Sequence, residues 1–380
     1  MTHVSGLMAD GFEPVREVFV RNFAQHGEVG AGCCVYVDGR PVVDLWGGEV
    51  APGGPPYTAS TLQMVASATK GALTICALQL VEAGQLDLDA PVAEYWPEFA
   101  AAGKDDIPVR WLLSHRAGLP AVRPRLTPAD LYSWTTMTET LAAEAPYWEP
   151  GTAHGYHALT FGWLVGELIA RVAGVSPGTY FAEHVAAPLG LDFHIGIPDR
   201  ELDRVAPLLP PPLPPPGAPP DRMTAVLTDP ASLGFEAFFV PHGLLGITND
   251  PDLWRCEAPA ANGMATAAAL ARMYAACIGE IDGVRLLRPD TLAAASAVES
   301  AGDDLVTQYV TRYGLGFQLS FPLRPFAGDG SVGHYGLGGS VGFAHPELGV
   351  AFGYTVNQML PGGVVDPRSK PLIDAVVGCL

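Results

Sequence analysis

Lysine is almost missing from this chain: three stand at positions 70, 104 and 370 of its 380 residues. Basic residues of both kinds number 21 against 40 acidic ones, a formal net charge of −19. That balance argues against a nucleic-acid or anionic-membrane partner, because such binding is driven by clustered Lys and Arg. No uninterrupted run of about 18 apolar residues occurs, so the sequence predicts no transmembrane helix. Residues 1–13 lack a basic start followed by an apolar stretch, which predicts no signal peptide. Metal-type spacing is also absent. Ten histidines and six cysteines include no His-x-x-x-His and no Cys-x-x-Cys. The cysteines, at 33, 34, 76, 256, 277 and 379, fall mostly in apolar segments. We expect them reduced and buried, in a cytoplasmic protein without a metal site.

What the chain does contain is apolar periodicity of two kinds. Residues 13–26 have the spacing of an amphipathic helix, and the runs Gly32–Asp38 and Pro41–Leu45 have that of strands. Asp38-Gly39 between two apolar runs is a hairpin signal. Neighbouring strand residues point to opposite faces, so the sulfurs of Cys33 and Cys34 should diverge. Residues 61–200 are largely helical in pattern, broken at Gly and Pro. Strands return at Gly314–Phe321, Val341–Ala344 and Val350–Asn357, and Pro371–Cys379 closes the chain as a helix. The segment Pro207–Pro220 is proline-rich and should be extended, a stiff connection. This is an α+β plan: one sheet built from both chain ends, with a helical excursion between.

One of the three lysines stands in Ser67-Ala68-Thr69-Lys70, followed by the nearly all-apolar run Gly71–Val81. With thirteen serines and three lysines, chance gives about 0.1 such Ser-x-x-Lys matches, so the spelling alone is suggestive only. The setting adds more. A helix that is apolar all round is buried, and a lysine one turn into it is desolvated, which lowers its pKa and frees a neutral amine. Residues three apart share a helix face, so Ser67 and Lys70 can pair as nucleophile and base. Unpaired N–H groups at the helix start can bind an oxyanion. The competing reading is a serine cap with Lys70 reaching out to water.

Two further places supply the remaining parts. Tyr156 follows a Pro-Gly turn and precedes the apolar helix Phe161–Val172, and its phenol can shuttle a proton if nearby positive charge lowers its pKa. The segment Gly333-His334-Tyr335-Gly336-Leu337-Gly338-Gly339-Ser340 is glycine-dense, which lets backbone approach a ligand and supply a second oxyanion N–H. Within it, Gly338-Gly339-Ser340-Val341-Gly342 spells the nucleophile elbow Gly-x-Ser-x-Gly. That elbow must join a strand to a helix, whereas here another strand follows.

Ser67-Ala68-Thr69-Lys70, Tyr156 and His334-Tyr335-Gly336, in this order and wide spacing, resemble the three motifs of class C serine β-lactamases, DD-peptidases and family VIII carboxylesterases. Val109–Pro120 looks like the family's stretch between the first two motifs. The resemblance covers residues 15–378. It implies a β-lactamase/DD-peptidase-like antiparallel sheet flanked by helices, with residues 1–60 and 261–380 forming the sheet domain. Residues 61–260 would form an inserted, mostly helical domain that carries Ser67, Lys70 and Tyr156 at the interface cleft. It further implies Ser67, Lys70 and Tyr156 as catalytic residues, and Leu337, Gly336, His334, Tyr335 and His157 as oxyanion or substrate-binding residues. No cofactor is required, and the partner is a small-molecule ester.

Departures from the family pattern bear on substrate. Tyr-x-Asn reads Tyr156-His157-Ala158, and Lys-Thr-Gly reads His334-Tyr335-Gly336. The missing Asn removes an amide for an acylamino group, and the missing Lys removes a charge for a carboxylate. The resemblance therefore implies an esterase acting on small, uncharged acyl esters through an acyl-enzyme. Acyl transfer in secondary metabolism, weak β-lactamase or D-aminopeptidase activity on the same residues, and a non-catalytic binding protein that keeps the fold stay open.

Overall fold

The hairpin marked at Asp38-Gly39 is built as a two-residue loop. Both residues have positive φ, 47° and 76°, the conformation whose twist matches the flanking strands, and Val37 pairs with Arg40 across it. The computed structural model describes residues 3–213, 217, 219–361 and 366–380. Part of the extended segment expected over 207–220 lies outside them, at 214–216 and 218. Among the described residues there are thirteen strands: β1 (Val4–Met8), β2 (Gly30–Val37), β3 (Arg40–Gly48), β4 (Leu62–Met64), β5 (Phe193–His194), β6 (Val205–Ala206), β7 (Met264–Ala265), β8 (Ser300–Asp303), β9 (Val310–Tyr313), β10 (Gln318–Leu319), β11 (Val332–Tyr335), β12 (Val341–His345) and β13 (Val350–Val356).

Nine of them form one antiparallel sheet in the order β1-β3-β2-β13-β12-β11-β10-β9-β8. Its middle joins the two chain ends, β2 to β13, with Cys34 opposite Gly353. One face is covered by helices Glu13–His26 and Ser369–Gly378, which bring Val15, Phe19, Leu372 and Ile373 onto Cys33, Val35, Phe343 and Phe352. The opposite face takes helix Ala267–Ile278, whose Leu270 and Tyr274 belong to the same core as Cys34, Ala344 and Ala351. Cys33 and Cys34 thus serve different cores, as strand alternation requires. All six cysteines are free.

Between the two groups of sheet strands the chain is helical, with one addition the periodicity did not reveal. Four short strands form a second sheet, β5-β7-β4-β6, and its β4 leads directly into the Ser67 turn. The run Gly314–Phe321, expected as one strand, is strand only at Gln318–Leu319. The reason lies in its hydrogen bonds: Leu315 N–H goes to Ala295 O and Gly316 N–H to Leu113 O, so these groups are satisfied outside the sheet. Helix Thr69–Glu82 is buried at every residue from Thr69 to Leu78 and packs on helix Thr160–Ala173. Among the described residues, no helix is long and apolar enough to cross a membrane.

Candidate active site

Ser67 sits where β4 gives way to helix Thr69–Glu82. Val65 N–H is held by Gly263 O at 2.9 Å, Ala66 takes a left-handed φ of 45°, and Ala66–Ala68 form a single 3₁₀ turn. A positive φ at alanine is unfavourable and persists only where the surroundings enforce it. Here Thr69 does so, donating its hydroxyl to Ala66 O at 2.6 Å and accepting Gly263 N–H at 2.9 Å. The Ser67 side chain caps no helix, and Ser67 is partly exposed.

Lys70 is fully buried and does not reach water. Its Nζ lies 2.6 Å from Ala158 O, 3.0 Å from Ala260 O and 3.3 Å from Ser67 Oγ, and no carboxylate is among these partners. Burial holds its pKa well below the ordinary lysine value. A neutral amine has two N–H bonds and one lone pair. The two carbonyls take the N–H bonds, which leaves the lone pair for the Ser67 hydroxyl.

Tyr156 reaches the same point from a loop. It lines the same cavity as Ser67, and its ring centroid is 4.8 Å from Lys70 Nζ. The ring stacks on Tyr313, 6.0 Å away with planes 2° apart. The expectation that positive charge lowers this phenol's pKa is not met. Burial raises it, outweighing the Ser67 hydroxyl and the Arg324 charge, and Lys70 is itself desolvated. Tyr156 is a neutral phenol that can give a proton, not a resting phenolate.

The third segment lies in the loop from β11 to β12. Gly336 is pressed against the Ser67 turn: a Cβ there would fall 2.1 Å from Val65 O, so only glycine fits. This contact puts Leu337 beside Ser67, and among the described residues neither Leu337 N–H nor Ser67 N–H has a protein acceptor. Arg368, itself fully buried, donates to Gly338 O at 2.7 Å and braces the loop from behind. Ser340 is buried, its carbonyl accepts Gly336 N–H at 2.7 Å, and β12 rather than a helix follows, so no elbow forms.

Two of the candidate residues stand away from the cleft. His157 is enclosed, its Nδ1 2.7 Å from Gly155 O and its Nε2 accepting Leu119 N–H at 3.0 Å; burial pushes its pKa down to about 3. Both ring nitrogens are used on backbone, so the ring braces a loop. His334 is buried behind Tyr156, ring centroids 5.8 Å apart, with Nδ1–H donating to Tyr335 O at 2.7 Å. Burial and the nearby Lys70 hold its pKa well below the usual histidine value. Tyr335 does line the cleft, with Phe326 stacked on its ring at 4.7 Å.

Some residues of the site escaped the sequence reading. Asp304 is buried and accepts the backbone N–H groups of Tyr156, Val306 and Thr307 and the Thr311 hydroxyl. Its signal was an Asp followed two and three residues on by N–H groups it could cap, a local turn pattern. Phe238 and Tyr313 had no such signal. Among the described residues, no group of three or more His, Cys, Asp or Glu is arranged to hold a metal ion.

Cavities open on either side of Ser67. One is lined by Tyr156, Tyr309, Tyr313, Gln318, Phe321 and Arg324, the other by Met64, Leu131, Leu159, Trp163 and Leu253; Ser67, Phe238 and Leu337 line both. A partly exposed hydroxyl, a buried amine, a neutral phenol and two unpaired N–H groups converge there, a set suited to acyl transfer.

Comparison with known proteins agrees with this geometry. A family model described as beta-lactamase matches residues 12–375. A Mycobacterium tuberculosis protein described as an esterase/beta-lactamase is 37% identical over 366 residues, covering 94% of this chain and 83% of its own. Among solved structures, a family VIII carboxylesterase is similar with a TM-score of 0.88 at 37% identity, covering 100% of both chains. A penicillin-binding protein homologue from Caulobacter crescentus has the same TM-score at 40% identity, again over 100% of both chains.

Proposed function

The chain belongs to the beta-lactamase family, and on that premise we propose that Ser67, Lys70 and Tyr156 run it as a carboxylesterase. It is a serine hydrolase that works through an acyl-enzyme. The observation that carries the residue assignment is a fully buried amine, without a carboxylate partner among the described residues, 3.3 Å from the oxygen of a partly exposed serine.

In this reading Ser67 Oγ bonds to the ester carbonyl carbon while its proton passes to Lys70 Nζ. The N–H groups of Ser67 and Leu337 hold the oxyanion. As the tetrahedral intermediate collapses, the bond to the alcohol oxygen breaks, Tyr156 protonates that oxygen, and Lys70 returns a proton to Tyr156. Water then repeats the sequence on the acyl-enzyme. Residues 1–60 with 261–380, and residues 61–260, are the two units whose meeting makes the cleft.

Uncharged esters fit best. Position 158 presents only a methyl group, and position 334 holds a neutral, enclosed imidazole rather than a cation. A cytoplasmic setting is supported by the six free cysteines. The decisive experiment is mass spectrometry after brief exposure to an aryl ester or a fluorophosphonate. A single acyl or phosphonyl adduct on Ser67 is expected, and an adduct on Ser340 instead would overturn the assignment. Product analysis with an added alcohol separates hydrolysis from acyl transfer.

A further inference from the structure

The two cavities that share Ser67 differ in one decisive lining residue. Tyr156 lines the cavity of Tyr309, Gln318 and Arg324 and is absent from the other. A group that protonates the departing alcohol oxygen must lie within hydrogen-bond reach of it. The alcohol half of the ester therefore occupies the Tyr156 side, and the acyl half extends past Phe238 into the second cavity. From this geometry, and resting on the esterase reading above, we propose that the second cavity is an acyl pocket selecting uncharged apolar acyl groups bulkier than acetyl.

The lining supports that class. Met64, Leu131, Leu159, Trp163 and Leu253 form the walls with Ala158, Ala258 and Ala261, and no charged side chain is among them. Met64 and Leu253 are 5% and 4% exposed and Leu131 is 1% exposed, so these walls sit in packed core and not on a mobile surface. The cavity gives the centre of a water-sized sphere about 60 Å³ in which to move, room for about four waters at roughly 15 Å³ each by that measure. A two-carbon acyl group, comparable to about two water molecules, leaves about half of it empty. Branched or aromatic acyl groups would gain dispersion contacts along Leu131, Trp163 and Leu253 that acetyl cannot reach. Where the acyl group is bound more tightly in the transition state, each added methylene should raise kcat/KM roughly fourfold until the space is filled. The other cavity has a different character, since Thr307, Tyr309, Thr311, Gln318 and Arg324 offer it polar groups.

The test uses two series of esters on the full chain: one with a fixed aryl alcohol and acyl groups from acetyl through isobutyryl and hexanoyl to benzoyl, the other with fixed acyl and varied alcohol. The wild-type chain should prefer the larger acyl groups over acetyl by tenfold or more. Ala261→Phe, which fills the apolar cavity from a half-buried position, should abolish that preference by lowering kcat/KM for the bulky acyl esters tenfold or more beyond any loss on the acetyl ester, with the ranking of alcohols kept within about threefold. Thr248→Phe fills the same cavity from another segment and serves if Ala261→Phe does not fold. Leu227→Phe, in the Tyr156 cavity, should instead alter the ranking of alcohols alone. A wild-type preference for acetyl, or an Ala261→Phe chain that changes the alcohol ranking and not the acyl ranking, overturns the assignment while the esterase reading stands. A wild-type chain that turns over no ester of either series overturns both.

Discussion

Both carboxylate oxygens of Asp304 accept the backbone N–H of Tyr156, each at 3.1 Å. The carboxylate thus fixes where the phenol stands. Asp304→Ala would leave three buried N–H groups and the Thr311 hydroxyl without that acceptor, at about 1–3 kcal/mol each. We expect a lower urea midpoint and a fall in kcat. Asp304→Asn keeps one acceptor oxygen and should recover part of both losses; equal damage in the two variants would mean the charge, not the acceptor geometry, is what matters.

Ser67→Ala should remain folded and lose nearly all turnover and all covalent labelling. Lys70→Ala should be almost as damaging, because groups that act as a unit do not contribute additively. Ser340→Ala should still acylate. Labelling followed by intact-mass measurement distinguishes the three.

Tyr156→Phe keeps the ring stacked on Tyr313 and removes only the proton carrier. A loss of about 10²–10⁴ in kcat is expected, the range for a positioned general acid–base. Unchanged turnover would reduce Tyr156 to packing.

The pH profile follows from two opposite shifts. In the proposed mechanism Lys70 acts as a base when neutral, and burial holds its pKa well below 10.5, so kcat/KM should reach its plateau far below that pH and decline on acidification. In the same mechanism Tyr156 acts while protonated, and burial raises its pKa above 10, so no alkaline loss is expected until beyond the ordinary tyrosine range. Stability is linked in the same direction. Because Lys70 binds its proton more weakly folded than unfolded, its contribution is full above pH 10.5 and is lost as pH falls through the lowered folded value. Lys70→Met should flatten that slope in denaturation experiments.

A short-chain aryl ester should give a higher kcat/KM than a chromogenic cephalosporin on the same preparation. The charge for a carboxylate that is missing at 334 is not recovered by His334→Lys. The side chain is 1% exposed and electrostatically coupled to Lys70, so His334→Lys buries a second amine beside the first. The expected outcome is loss of esterase activity without a gain on the cephalosporin.

How much of this could be read in the residues depended on how local each signal was. Helix Glu13–His26, the Asp38-Gly39 hairpin and the Ser67/Lys70 pair are set by neighbours within a turn or two, and all three were legible. The chain-end pairing of β2 with β13 was legible as a plan, though its register was not. Strands β8 and β9 were not foreseen, because Val310–Tyr313 is short and its pairing partners do not announce themselves. His157 and His334 illustrate the same limit in the site. Their residue type suggested chemistry, whereas burial and backbone partners, which only the fold supplies, decide what they do.

The sheet that seats β2 against β13 also imposes an order in time. A ribosome that has completed Ser67 and Lys70 must still make some 270 residues before Leu337 exists, and β13 and Arg368 come later still. Until then the amine has no finished interior around it and the oxyanion no second donor. On the proposed mechanism, a nascent or truncated chain should therefore be chemically silent, with the capacity to form an ester on Ser67 arriving only as the last strands close.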